Sequence, residues 1–146
     1  MLKGIDPILT PELLMHLCAM GHGEWVAVVD ANFTADSLAK GKPLVRLPGL
    51  SLMRVSQAVL SVFPLDSAVV QPVAYMHVCD QAASHRTPVQ QALVDFLGEG
   101  GLPAQKVEAV ERFAFYDRTR VASLIVQTGE PSAYGNAMFC KGVILN

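Results

Sequence analysis

The chain has 146 residues, with 11 basic and 13 acidic side chains and a formal net charge of −2, which excludes the basic footprint of a nucleic-acid or anionic-membrane binder. No stretch reaches the roughly 18 apolar residues of a transmembrane helix, and Met1 to Pro7 lacks an apolar run, so no secretory leader is expected. Hydrophobic residues make up 51% and charged residues 16%, where about 25% charged is usual. That balance predicts a homo-oligomer, because a small monomer has too much surface to be so apolar.

The length suits one domain over residues 1–146. Cys18, Cys79 and Cys140 are odd in number and far apart, which predicts reduced thiols and a cytoplasmic protein.

Thr10-Pro11-Glu12 reads as a helix start, with a hydroxyl cap, proline at the first position and an acid in the first turn. Leu13, Leu14, Leu17 and Cys18 form its apolar stripe, and Gly21 its stop. Trp25 to Val29 is an apolar β run closed by Asp30. Residues 31–43 read as an irregular loop, Leu44 to Leu47 as a short strand, and Ser51 as the cap of a helix ending near Phe63. Ser67 to Val78 is β-rich with Pro72 in its middle. Thr87-Pro88-Val89-Gln90 is a capping box opening a helix to Leu97. A strand at Lys106 to Val110, a helix at Arg112 to Thr119, and strands at Val121 to Gln127 and Ala137 to Cys140 complete the pattern. Alternating strands and helices predict an α/β fold, a layered αβα domain around a largely parallel sheet.

Four segments carry chemistry. Gly21-His22-Gly23 sets an imidazole between two glycines. Histidine is the side chain suited to proton exchange near neutrality, although the commoner role for a histidine here is to face the negative end of the first helix. Asp30 stands where open α/β sheets place ligands, with the Asn32 amide nearby; a turn in which Asp30 bonds its own backbone is the alternative. Arg112 and Tyr116 lie at i, i+4 on one helix face. They suit sugar hydroxyls, or else a structural cluster with Glu108 or Asp117, with Phe113 and Phe115 expected in the core. Thr128-Gly129-Glu130 runs on to Tyr134-Gly135-Asn136, which offers a phenol and an amide or a tight turn.

His22 and Asp30 flank a five-residue strand, so about 17 Å separates them. Both can reach one small ligand only if the strand bends or different subunits supply them. No phosphate loop, GxGxxG, GxSxG or CxxC is present, so the sequence predicts neither a nucleotide cofactor nor a metal.

In this order and spacing, the four segments resemble the family of D-ribose pyranase and L-fucose mutarotase, from Leu2 to Gly142. Arg112 with Tyr116 in Arg-Phe-Ala-Phe-Tyr looks like the L-fucose branch. The resemblance implies the fold of that family and a cofactor-free cytoplasmic isomerase that interconverts the anomers of a monosaccharide. It also implies a ring-shaped homo-oligomer, often a decamer, with sites between subunits. His22 would be the general acid, Asp30 a second catalytic group, and Asp30, Arg112, Tyr116, Tyr134 and Asn136 the sugar contacts. Ribose-type specificity, a non-catalytic sugar-binding module and a structural ring protein are the competing readings.

Overall fold

Helix and strand positions follow local chemistry. The computed structural model describes residues 2–145. Helix α1 (Pro11–Ala19) starts where Leu13 N–H donates to Thr10 Oγ1 at 3.2 Å, a cap worth about 1 kcal/mol. Strand β1 (Trp25–Val29) follows, then α2 (Ala35–Ala39) and β2 (Leu44–Leu47). Helix α3 (Leu52–Leu60) is capped by Ser51, and β3 (Val73–Met76) comes next. Thr87 and Gln90 form the complete capping box of α4 (Pro88–Glu99), and a 3₁₀ turn leads into β4 (Val107–Val110). Helix α5 (Arg112–Val121) starts on Glu111, whose carboxylate accepts from Phe113 and Ala114 N–H. Strands β5 (Leu124–Thr128) and β6 (Ala137–Cys140) close the chain.

The six strands lie in the order β2-β5-β1-β6-β3-β4. β1, β2 and β5 pair in parallel, as do β3 and β4, while β6 runs antiparallel between β1 and β3. Five strands therefore point one way and β6 the other. Alternate residues feed two cores. Val26, Val28, Tyr75 and Phe139 meet α1, α3 and α4 on one face; Ala27, Val29, Met76 and Met138 meet α2 and α5 on the other. This is the expected αβα arrangement around a largely parallel sheet.

Three local expectations change. The supposed loop at 31–43 contains α2, which has no side-chain cap bond and is held by burial of Ala35, Leu38 and Ala39. Packing rather than propensity makes that helix. Only Val73–Met76 of the β-rich stretch pairs as a strand. The last helix runs on to Val121, so β5 begins at Leu124.

Gly129 follows β5 where the chain passes Pro48: a Cβ there would lie 1.9 Å from the Pro48 carbonyl oxygen. Backbone on both sides leaves nothing to yield. Gly129→Ala should therefore lower the unfolding free energy by about 3 kcal/mol, read from chemical denaturation; a midpoint matching the parent would refute this close approach.

Candidate functional site

The parallel strands and β6 together build one polar pocket. Asp30 leaves the C-terminal end of β1 and Met76 ends β3; Asn136 enters β6 from the same side because β6 is reversed. Asp30, Asn32, Phe33, Met76, Arg112 and Tyr116, with Ala133, Tyr134 and Asn136, enclose a cavity of ≈ 260 Å³. That lies below the roughly 300–1,000 Å³ of sites for drug-sized ligands and suits one small polar molecule. Every expected sugar contact lines it: Asp30, Arg112, Tyr116, Tyr134 and Asn136.

Asp30 is 4% exposed. Asn136 bonds it twice: its Oδ1 accepts from the Asp30 N–H at 2.9 Å, and its Nδ2 donates to Asp30 Oδ2 at 2.8 Å. Asp30 Oδ1 accepts from the Asn32 N–H at 2.9 Å. The turn that sequence offered as an alternative to ligand binding forms, and it lies within the pocket wall, so the two readings do not compete. Burial pushes the Asp30 carboxyl above its ordinary value of 3.8, Glu130 adds to that, and the Asn136, Asn32 and Phe33 hydrogen bonds oppose it.

On α5, Arg112 Nε donates to Tyr116 Oη at 2.9 Å, and the guanidinium lies over the Phe113 and Tyr116 rings. The Tyr116 phenol holds the guanidinium pKa above its ordinary value. The structural-cluster reading falls, since Arg118 takes Glu108 at 2.7 Å and Arg120 takes Asp117. Phe115 is fully buried, but Phe113 is 67% exposed. The i, i+4 geometry that aims Arg112 and Tyr116 at the pocket turns Phe113 outward.

Tyr134 adopts φ +62, and Gly135 packs between the Glu130 side chain and Asp30. Gln90 Nε2, on α4, donates to the Met76 and Tyr134 carbonyls at 2.7 and 3.0 Å. Sequence marked Gln90 only as a capping residue, yet its buried amide holds two walls of the pocket. The Tyr134 phenol lies beside the Cys79 thiol, which raises its pKa.

His22 does not join this pocket within the chain. It lies at the opposite end of β1, where its Nε2 meets Asp66 Oδ2 at 2.9 Å. The His22 side chain is 53% exposed and that of Asp66 only 5%. Service to the helix end, the alternative role for His22, belongs to Lys141, whose Nζ donates to the Leu17 and Met20 carbonyls at 2.8 and 2.5 Å. Gly23, at φ +82, makes the turn, and Glu24 Oε2 accepts from the Gly21 N–H.

Asp66 was missed by sequence. It lies 44 positions from His22 and comes close through the Leu65–Lys141 bridge, with Asp66 N–H donating to the Cys140 carbonyl and Gly142 N–H to the Pro64 carbonyl. The Ala68 N–H holds its carboxyl below 3.8, with His22 helping against the cost of burial. The two aspartates therefore act oppositely on stability. The Asp66 contribution is present above the unfolded value and is lost as pH falls through the lower folded one. Ionisation of Asp30 instead costs stability as pH rises through its raised folded value. No group of three or more His, Cys, Asp or Glu side chains able to hold a metal occurs among the described residues.

A carboxylate accepts only, so Asp66 places the proton of a neutral His22 on Nε2 and leaves Nδ1 free. In Asp66→Asn the oxygen can keep the Ala68 bond while the amide donates to Nε2, moving the proton to Nδ1. Long-range ¹H–¹⁵N spectra at alkaline pH should show the Nε2–H form in the parent and the Nδ1–H form in the variant; an Nδ1–H parent would refute the pairing.

The RbsD / FucU transport protein family model matches residues 3–144. The fucose mutarotase of Homo sapiens is 38% identical over 146 residues, covering 98% of this chain and 94% of that protein. The crystal structure of FucU from Bifidobacterium longum superposes with a TM-score of 0.91 at 35% identity, covering 98% of this chain and 100% of that one. The fucose mutarotase of Streptococcus pneumoniae, solved in complex with L-fucose, gives 0.90 at 30% identity over 99% and 100% of the two chains.

Proposed function

This chain belongs to the RbsD / FucU transport protein family, and from that membership and the pocket we propose that it is an isomerase interconverting the α and β anomers of L-fucose. The observation that carries the reading is the pocket of Asp30, Arg112, Tyr116, Tyr134 and Asn136: neutral and charged hydrogen-bonding groups beside aromatic rings, at the size of one monosaccharide. Relatives named fucose mutarotase support L-fucose over D-ribose as the sugar.

The reaction needs only proton transfers. An acid protonates the ring oxygen while a base takes the proton of the anomeric hydroxyl; the C1–ring-oxygen bond breaks and an aldehyde forms. Rotation about the C1–C2 bond presents the other carbonyl face, and closure returns both protons. Asp30, with Oδ2 on Asn136 and Oδ1 on Asn32, orients or deprotonates the anomeric hydroxyl. Arg112, Tyr116, Tyr134 and Asn136 hold the remaining oxygens. His22 acts as the acid in its imidazolium form, giving the Nδ1 proton while Asp66 accepts from Nε2 and fixes the ring. Each such group contributes about 10²–10⁴-fold, enough for a reaction already feasible in water.

His22 of one copy serves the pocket of another in this reading. The five residues of β1 keep the two about 17 Å apart within a chain, and His22 faces outward. A groove lined by Leu14, Leu17, Val62, Pro64 and Ile144 shares Lys141 with the His22 turn, giving an apolar face for a second copy. These features support a homo-oligomer with sites between subunits; a ring of decamer type is what the family resemblance implies. Cys18, Cys79 and Cys140 are free thiols, which supports a cytoplasmic setting.

NMR saturation transfer between the α and β anomeric protons should show faster exchange with the protein present, more for L-fucose than for D-ribose. Acceleration of ribose over fucose would move the substrate, and no acceleration of either would remove the activity. His22→Ala should abolish the acceleration with the oligomer intact by light scattering, and an unchanged rate would remove His22 from the mechanism. Arg112→Ala should raise KM about tenfold or more, the loss of a charged hydrogen bond of about 1.5–3 kcal/mol.

A further inference from the structure

Thr128-Gly129-Glu130 is the one chemistry-bearing segment whose acid the mutarotase reading leaves unused. Glu130 is 6% exposed, yet it does not line the pocket. Its side chain spans two elements. Oε2 accepts from the Leu52 N–H, at the start of α3, at 3.3 Å, and Oε1 accepts from the Ser132 N–H at 3.1 Å. Its backbone is pinned as well. Glu130 N–H donates to Thr128 Oγ1, which in turn donates to the Val29 carbonyl, and the Glu130 carbonyl accepts from Ala31 N–H. A Cβ on Gly135 would lie 2.8 Å from Glu130 Cγ, 3.0 Å from the Ser132 carbonyl oxygen and 3.6 Å from Asp30 Cβ. Bare glycine backbone is thus all that fits between the Glu130 and Asp30 side chains.

We propose that Glu130 is a positioning residue of the sugar site: it locks the loop bearing Tyr134 and Asn136 onto the N terminus of α3 and sets a second carboxylate behind Asp30. The inference rests on the mutarotase reading, which gives the site its substrate. The carboxylate has a helix N terminus to neutralise it, so it stays buried without touching the sugar. A loop so fixed holds Tyr134 and Asn136 in register with Asp30. Displacement of a positioned group by about 1 Å can cost on the order of 10²-fold in rate.

The charge of Glu130 also bears on the proton of Asp30, whose carboxyl it helps to hold up. The other titratable groups around that pocket are Arg112 and Tyr116 from α5, Tyr134 from the loop itself, and Cys79 after β3, beside Tyr134, with His22 of a second copy in the proposed mechanism. All of these stay in place when Glu130 alone is changed.

Two variants separate reach from charge. Glu130→Gln keeps the length, removes the charge, and can accept from only one of the Leu52 and Ser132 N–H groups, because its amide nitrogen donates. Glu130→Asp keeps the charge and is one methylene too short to span Leu52 and Ser132. With L-fucose exchange measured against pH, Glu130→Gln should raise KM about tenfold and move the acid limb of the rate to lower pH. Glu130→Asp should raise KM similarly and leave the acid limb in place. Amide hydrogen exchange at Ser132 and Gly135 should quicken in both variants. Loss of melting temperature with parental KM, parental acid limb and parental amide exchange would overturn the proposal and leave Glu130 a structural residue. Should Glu130→Gln not fold, the KM of Glu130→Asp decides alone. A parent protein that exchanges no sugar would defeat the mutarotase reading instead. The amide exchange of the two variants would then still decide whether Glu130 holds the loop.

Discussion

A carboxylate taken out of water at a strand end must be hydrogen-bonded or it will not stay ionised, and the rest of this site depends on how Asp30 meets that demand. Asn136 answers with both ends of its amide, on the Asp30 backbone and on its carboxylate. The pair joins positions 106 residues apart and fixes where β6 enters the sheet beside β1. An amide is the side chain that can give and accept in one place. Once that pair is set, Tyr134 hangs over the pocket from the preceding turn. Gln90 reaches from α4 to hold its carbonyl, and Met76 N–H donates to the Asn136 carbonyl.

The opposite end of the sheet is organised around one cation and an imidazole. Lys141 satisfies carbonyls at the end of α1, where four have no partner within a helix, and its own backbone bonds Gly23 and Glu24. His22 is left on the crest of that turn, backed by Asp66 and half open to solvent. One end of the molecule is therefore a walled pocket and the other a presented side chain. Within one chain the length of β1 keeps these two ends apart.

Much of this was legible from local chemistry. Trp25–Val29, Leu44–Leu47 and Ala137–Cys140 fall where their apolar runs and flanking turns put them. The caps at Thr10, Ser51 and Thr87 each make the bond their residue type promises. The polar lining of the pocket was legible as well, because Asp30, Arg112 and Asn136 stand at element ends and Tyr116 shares a helix face with Arg112. What escaped was made by distance in the chain. α2 exists through burial of three small or branched residues against the sheet. Asp66 means nothing until Leu65 bridges to Lys141. Phe113 looked like core because an aromatic between Arg112 and Ala114 carries no sign of which way its helix face will point; the fold turned it to solvent.

The reversed strand β6 has a consequence for how such a protein can change. Its four residues begin just after Asn136 and end just before Lys141, so one short, fully buried piece of chain measures the span from pocket to histidine turn. Loss or gain of one residue there would turn Met138 and Phe139 each to the wrong core and would shift both ends together. The β6 strand thus acts as a gauge block. Side chains lining the pocket can change without altering that measure, whereas the span from pocket to histidine turn within each copy is machined into a part that tolerates no adjustment.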